Sequence, residues 1–133
     1  MTKNEVNNKI EVNTVIDDMS IDINFQDKCC ILGNESGTGK TYVLKILNLE
    51  LAGKREFKYI NFMNYYSNLT FEFHDVWILD NCDLYLTNDD LKKIVANSNI
   101  VIACVRNYDT LTGIECHRYG VEFKNGSLRT FRR

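Results

Sequence analysis

Residues 28–52, KCCILGNESGTGKTYVLKILNLELA, constrain this chain more than any other stretch. An apolar run from Cys29 to Leu32 leads into a loop that carries Gly33, Gly37 and Gly39. Behind the loop, Val43, Leu44, Leu47 and Leu51 recur at helical spacing. The order is therefore buried strand, glycine-rich turn, amphipathic helix. Such a loop has a physical use. Without Cβ atoms, successive backbone N–H groups can turn inward around an anion, and a helix starting near Gly39 aims its positive dipole end at the same point.

At the centre of this stretch, Ser36-Gly37-Thr38-Gly39-Lys40-Thr41 resembles the Walker A motif of P-loop NTPases. The resemblance implies that Lys40 reaches the β- and γ-phosphates of a nucleotide and that the Thr41 hydroxyl ligates Mg²⁺. It also implies a phosphate cradle formed by Asn34, Glu35, Ser36, Gly37, Thr38, Gly39, Lys40, Thr41 and Tyr42. The motif's first glycine would stand at position 34; this chain has Asn34 there, directly after Gly33. Asparagine tolerates a left-handed backbone, so the loop can still close. Further on, Val76-Trp77-Ile78-Leu79-Asp80 resembles Walker B, which implies a second Mg²⁺ ligand in Asp80 at a strand tip. The competing reading is a glycine-rich turn that binds nothing.

In chain order, the first eight residues are polar and expected to fray. Ile10 to Ile16 and Met19 to Phe25 alternate apolar and polar residues around Asp17-Asp18, a hairpin expected to cover one face of the molecule. Phe57 to Met63 reads as a strand, and residues 64–75 as a loop or short helix. Tyr65, Tyr66, Phe71 and Phe73 in that segment suit core packing better than base stacking. Thr87 and Asp90 mark an N-cap and its partner, opening a helix from Asn88 to Ala96. Ile100 to Val105 has the continuous apolar character of a strand buried on both faces. Residues 108–113 read as a loop. Asn125-Gly126 then joins two terminal strands, Tyr119 to Lys124 and Ser127 to Phe131.

The alternation of strands and helices predicts one α/β domain over residues 1–133. The expected form is a three-layer P-loop NTPase core with a mostly parallel sheet, plus N-terminal and C-terminal β-hairpins. The extra strand between the two motifs resembles the ABC, AAA+ and RecA-like division. In that division the strand after Walker B lies between the two motif strands, which would bring Arg106 and Asn107 beside the phosphates.

Phosphoryl transfer needs positioning, charge neutralisation and a group that orients the attacking water. Residues 36–41 supply the first, and Thr41 with Asp80 the second. The third is where the chain departs from the family, because the glutamate usual after the Walker B aspartate is Asn81. An amide can orient water but cannot take its proton. Lys40, Asn81 and Asn107 are the candidate catalytic residues, with Asp83 and Asp75 as nearby carboxylates. Asp83 reads more simply as a solvated turn residue, while Arg106 and Asn107 read equally well as phosphate-facing groups or as a strand end meeting solvent. The ABC signature Leu-Ser-Gly-Gly-Gln and the guanine-reading Asn-Lys-x-Asp are both absent.

Sixteen basic residues against eighteen acidic ones, a formal charge of −2, give no global attraction to nucleic acid or an anionic membrane. From Arg118 onward five basic residues face only Glu122, which reads as a solvated hairpin edge rather than a nucleic-acid surface or an arginine finger. No apolar run approaches a membrane span, and the N-terminus does not read as a signal peptide, so a cytoplasmic protein without membrane contact is expected. The five cysteines lack zinc-site spacing and read as reduced thiols. The expected function is Mg²⁺-dependent binding of a purine nucleotide, ATP or ADP, with hydrolysis that is slow or dependent on a protein partner or a second copy of the chain. The alternative is a nucleotide-sensing or interaction module that does not turn over.

Overall fold

Two tight turns set the frame. Asp17 and Asp18 both sit in the left-handed region, at φ 50° and 65°, as do Asn125 and Gly126 at 54° and 74°. Two-residue loops of this kind match the twist of antiparallel strands. They join β1 (Ile10–Ile16) to β2 (Met19–Phe25) and β7 (His117–Lys124) to β8 (Ser127–Arg132). The two hairpins dock through a parallel pairing of β2 with β8, with Ser20 opposite Ser127 and Asp22 opposite Arg129. Where these strands diverge, the Thr130 hydroxyl takes over from the ladder. Its Oγ1 accepts the Asn24 N–H at 2.9 Å and donates to the Asn24 carbonyl at 3.2 Å.

Between the hairpins run β3 (Cys29–Leu32), α1 (Lys40–Leu51), β4 (Phe57–Ile60), α2 (Tyr65–Asn68), β5 (His74–Leu79), α3 (Asn88–Ala96) and β6 (Ser98–Cys104). This computed structural model describes residues 9–33, 39–107 and 114–133. All eight strands belong to one sheet in the order β1-β2-β8-β7-β3-β6-β5-β4. β6 thus lies between β3 and β5. Buried strands use both faces. On β3, Cys30 and Leu32 join the cluster under α1, while Cys29 and Ile31 join the cluster under α3.

The expectation of a three-layer P-loop core with a mostly parallel sheet is overturned. The molecule is mostly β, 43% strand against 25% helix, with a single curled mixed sheet that forms a half-barrel. The reason lies in the hairpins, which sequence reading treated as attachments. The β2–β8 pairing makes four of the eight strands hairpin strands within that one sheet. Among the described residues only α1 and α3 run well beyond one helical turn, and two helices cannot cover eight strands. The sheet curls instead. Ile10, Val12, Ile21, Ile23, Phe25, Val121 and Leu128 from the hairpins enter the same core cluster as Val43, Leu44, Ile46, Leu47 and Leu51 of α1. Each fully buried aliphatic side chain of this kind contributes about 1.5–3 kcal/mol. The first hairpin is therefore an extension of the sheet and not a separate cover. For the same reason β8 is an interior strand, so the basic tail is not a sheet edge.

Smaller boundaries also move. β4 stops at Ile60 because Asn61 and Asn64 cap one another. Asn61 Oδ1 accepts the N–H groups of Met63 and Asn64 at 2.9 Å each, and Asn64 Oδ1 accepts that of Asn61 at 2.8 Å. The helix over Asn88–Ala96 has the expected box, with Thr87 Oγ1 accepting the Asp90 N–H and Asp90 Oδ2 accepting the Thr87 N–H, each at 3.1 Å. The aromatics of residues 64–75 are not core. Tyr66 is 89% exposed and Phe73 58%, and only Tyr65 is packed, stacked on Tyr85 at 4.9 Å between ring centroids. The expectations for residues 1–8 and 108–113 lie outside the described residues.

Candidate functional site

The carboxy-terminal ends of β3, β6, β5 and β4 lie along one rim of the sheet, because these strands run parallel. α1 starts at this rim. Its N-cap is Gly39, at φ 92°, a conformation that costs glycine little and any other residue more. Among the described residues no side chain caps the helix, and its first turn carries no acid, so no described carboxylate offsets its positive dipole end. Gly39, Lys40, Thr41, Tyr42 and Lys45 line an open depression of about 390 Å³. The predicted cradle residues Asn34, Glu35, Ser36, Gly37 and Thr38 lie outside the described residues.

Lys40 Nζ reaches across the sheet to the Val105 carbonyl, 3.5 Å away, just past the end of β6. The next atoms of that same peptide unit face another charge, for the Arg106 N–H donates to Asp83 Oδ2 at 3.0 Å. One peptide group therefore stands between an ammonium and a carboxylate. Asp83 is not the solvated turn residue expected. Its side chain is 1% exposed, and Oδ1 has no hydrogen bond, with the Arg106 Nε 3.7 Å off. Arg106, expected beside the phosphates, is paired with Asp83, while its side chain stays 63% exposed. Asn107 follows it, exposed.

Asp80 stands at the tip of β5, anchored by its N–H to the Ile60 carbonyl at 2.9 Å. Its Oδ2 accepts the Tyr59 hydroxyl at 3.3 Å. Burial, and then the Asp80 charge, push the Tyr59 phenol up to about 12, so it remains a donor to Asp80 throughout the ordinary pH range. Tyr85 donates to the Asp80 and Ile60 carbonyls at 2.8 and 3.0 Å, tying the turn after β5 to the end of β4. Cys104 registers both charges of the site. Burial foremost drives its thiol well up, Asp80 adds to that, and Lys40 opposes it. Leu79 pairs with Ala103 and Lys40 reaches the Val105 carbonyl, so Lys40 and Asp80 flank the end of β6 together. Asn81 follows Asp80 in a left-handed conformation, φ 49°, and is exposed. Asp75 lies at the other end of β5, bound to Arg55, and has no part in this rim.

Among the described residues no cluster of three or more His, Cys, Asp or Glu side chains could hold a metal ion by itself; the oxygens on this rim are the exposed Thr41 hydroxyl in the depression and the Asp80 carboxylate. Sequence reasoning missed Tyr59 and Lys45 and misjudged the burial of Asp83. Tyr59 was findable, since it shares the face of Phe57 one residue before the end of β4; the Asp83–Arg106 contact depends on how β5 and β6 neighbour each other and leaves no local signal.

No family model, curated protein or solved structure matches this chain. Among the described residues no helix is long and apolar enough to cross a membrane.

Proposed function

We propose that the protein binds ATP or ADP with Mg²⁺ through the Walker A-like loop and the first turn of α1, with turnover that is slow or dependent on a partner. One observation carries this reading. Lys40, in the first turn of α1, and Asp80, at the tip of β5, flank the same strand end, on the rim where the glycine-rich loop follows β3 in sequence. A polyphosphate there would meet helix N–H groups, the ammonium of Lys40 and a carboxylate able to hold the metal. Lys40 would exchange the Val105 carbonyl, at 3.5 Å a weak partner, for a phosphate oxygen.

Asn81 favours the alternative, a module that binds nucleotide and does not hydrolyse it. Its exposed amide can hold a water but not deprotonate it, and Asp83 is committed to Arg106. Thermal unfolding with and without nucleotide tests the shared core of both readings. At a hundredfold excess over the dissociation constant, Mg-ATP or Mg-ADP stabilises a binder by about 2.7 kcal/mol, a rise of several degrees in Tm. Lys40→Ala should abolish that rise. Equal shifts in the variant and the wild type, or no shift in either, would overturn the proposal. Single-turnover assays with Asn81→Glu then separate the two readings, since a gain in hydrolysis marks a site otherwise competent.

A further inference from the structure

We infer that Cys29 and Cys116 form a thiol–disulfide site, closed into an intrachain disulfide by a low-molecular-weight disulfide such as oxidised glutathione. β7 runs parallel to β3 with Cys30 opposite His117, Ile31 opposite Arg118 and Leu32 opposite Tyr119. One step back along that register sets Cys29 beside Cys116. Neighbouring strands lie about 4.8 Å apart, within the roughly 4.4–6.8 Å that Cα atoms of a disulfide span. Both side chains belong to the cluster on the α3 side of the sheet, so they share a face. Each thiol perturbs the titration of the other, as two sulfurs held close together do.

The pair is asymmetric in a way that orders the chemistry. Cys29 is 1% exposed, whereas Cys116 is only half-buried. The contact with Cys29 pulls the Cys116 thiol down, while the contact with Cys116 and then burial drive Cys29 up. Cys116 is therefore the point of entry. The remaining cysteines are poor competitors. Cys30 points to the α1 side, donates to the Asp27 carbonyl at 3.2 Å and is pushed up to about 12 by burial. Cys82 and Cys104 are buried and raised mainly by that burial.

The Cys116 thiolate attacks one sulfur of glutathione disulfide, breaking its S–S bond and releasing one glutathione, which takes up the proton that Cys116 lost. The Cys29 thiol then loses its proton and attacks the Cys116 sulfur. The protein disulfide forms, the mixed disulfide breaks, and a second glutathione leaves protonated. Two protein thiols are oxidised and one small disulfide is reduced.

The test uses the full chain, oxidised in its folded state with glutathione disulfide and then unfolded in guanidinium chloride containing excess N-ethylmaleimide, so that every remaining thiol is counted. Five maleimide adducts before oxidation, one for each cysteine, should become about three. Tryptic cleavage after Lys28 and Arg106 places Cys29 and Cys116 on separate peptides. Their linked product should appear in the wild type and in Cys30→Ala, which removes the vicinal thiol, and disappear in Cys116→Ser. Glutathione left on Cys116 as a stable mixed disulfide, a link from Cys116 to Cys82, or a disulfide that forms only when the oxidation itself is run in urea would each overturn the assignment.

Discussion

At the amino-terminal end of β5, Asp75 accepts a two-pronged contact from Arg55, at 2.9 and 2.7 Å, and a third bond from Asn99 at 2.9 Å. At the carboxy-terminal end of the same strand, Asp80 holds one side-chain hydrogen bond at 3.3 Å. The neighbours repeat the contrast. Ahead of β3, Asp27 takes the Tyr119 hydroxyl at 2.6 Å and Arg132 at 3.1 Å. At the opposite rim Lys40 has a carbonyl at 3.5 Å, and Asp83 keeps one oxygen without a hydrogen bond. The same strands thus end in saturated charge at one pole and in under-used charge at the other. Saturated charge does the work of stability, while charge held in reserve is what a ligand can recruit.

The largest effect should come from the saturated pole. Asp75→Ala removes the carboxylate from the Arg55 guanidinium, 14% exposed, and leaves its bond to the Lys9 carbonyl; it should lower the unfolding free energy by about 3 kcal/mol at pH 7. Chemical denaturation measures this. The Arg55 contact foremost holds the Asp75 carboxyl below its ordinary 3.8. Its contribution is therefore present above about pH 4 and lost as pH falls through the lower, folded value. The gap between wild type and Asp75→Asn should stay flat from pH 8 to 5 and close in stronger acid. A gap that widens in acid would break the assignment of this pole.

Tyr119→Phe should cost less, about 1–1.5 kcal/mol, by removing one hydroxyl that donates to Asp27 and accepts the Gln26 N–H at 3.2 Å. The ring itself keeps its packing on Phe25, 5.1 Å between centroids. A loss as large as that of Asp75→Ala would show that this cluster, and not Arg55, is the main fastening of the pole.

Much of the local structure was legible. Two-residue turns, the capping box of α3, the apolar run of β6 and the strand–glycine–helix stretch each carry their signal within a few residues, so they can be read without knowing the fold. What failed was non-local. The parallel pairing of β2 with β8 joins residues more than a hundred positions apart, and that pairing alone turns two hairpin appendages into the flank of a curled sheet. The site divides the same way. Lys40, Thr41 and Asp80 sit where local pattern placed them, at a helix start and a strand tip. The burial of Asp83 depends on the end of β6 arriving beside the turn after β5, and an acidic residue in a turn gives no hint of that.

The smallest expected change in stability is also the one that most sharpens the contrast between poles. Asp80→Asn keeps the size of the side chain and an oxygen that can accept the Tyr59 hydroxyl. It should therefore move the unfolding free energy by no more than about 0.5 kcal/mol. A neutral amide is a far weaker ligand for Mg²⁺ than a carboxylate, so the metal-dependent part of nucleotide stabilisation should vanish. In the wild type, ATP with Mg²⁺ should raise Tm above ATP with chelator; in Asp80→Asn the two curves should coincide. Both halves must hold together. A variant that loses several kcal/mol would make Asp80 one more structural carboxylate, and the two ends of β5 would then differ in geometry but not in purpose. An unchanged response to Mg²⁺ would leave the loose pole without its metal ligand.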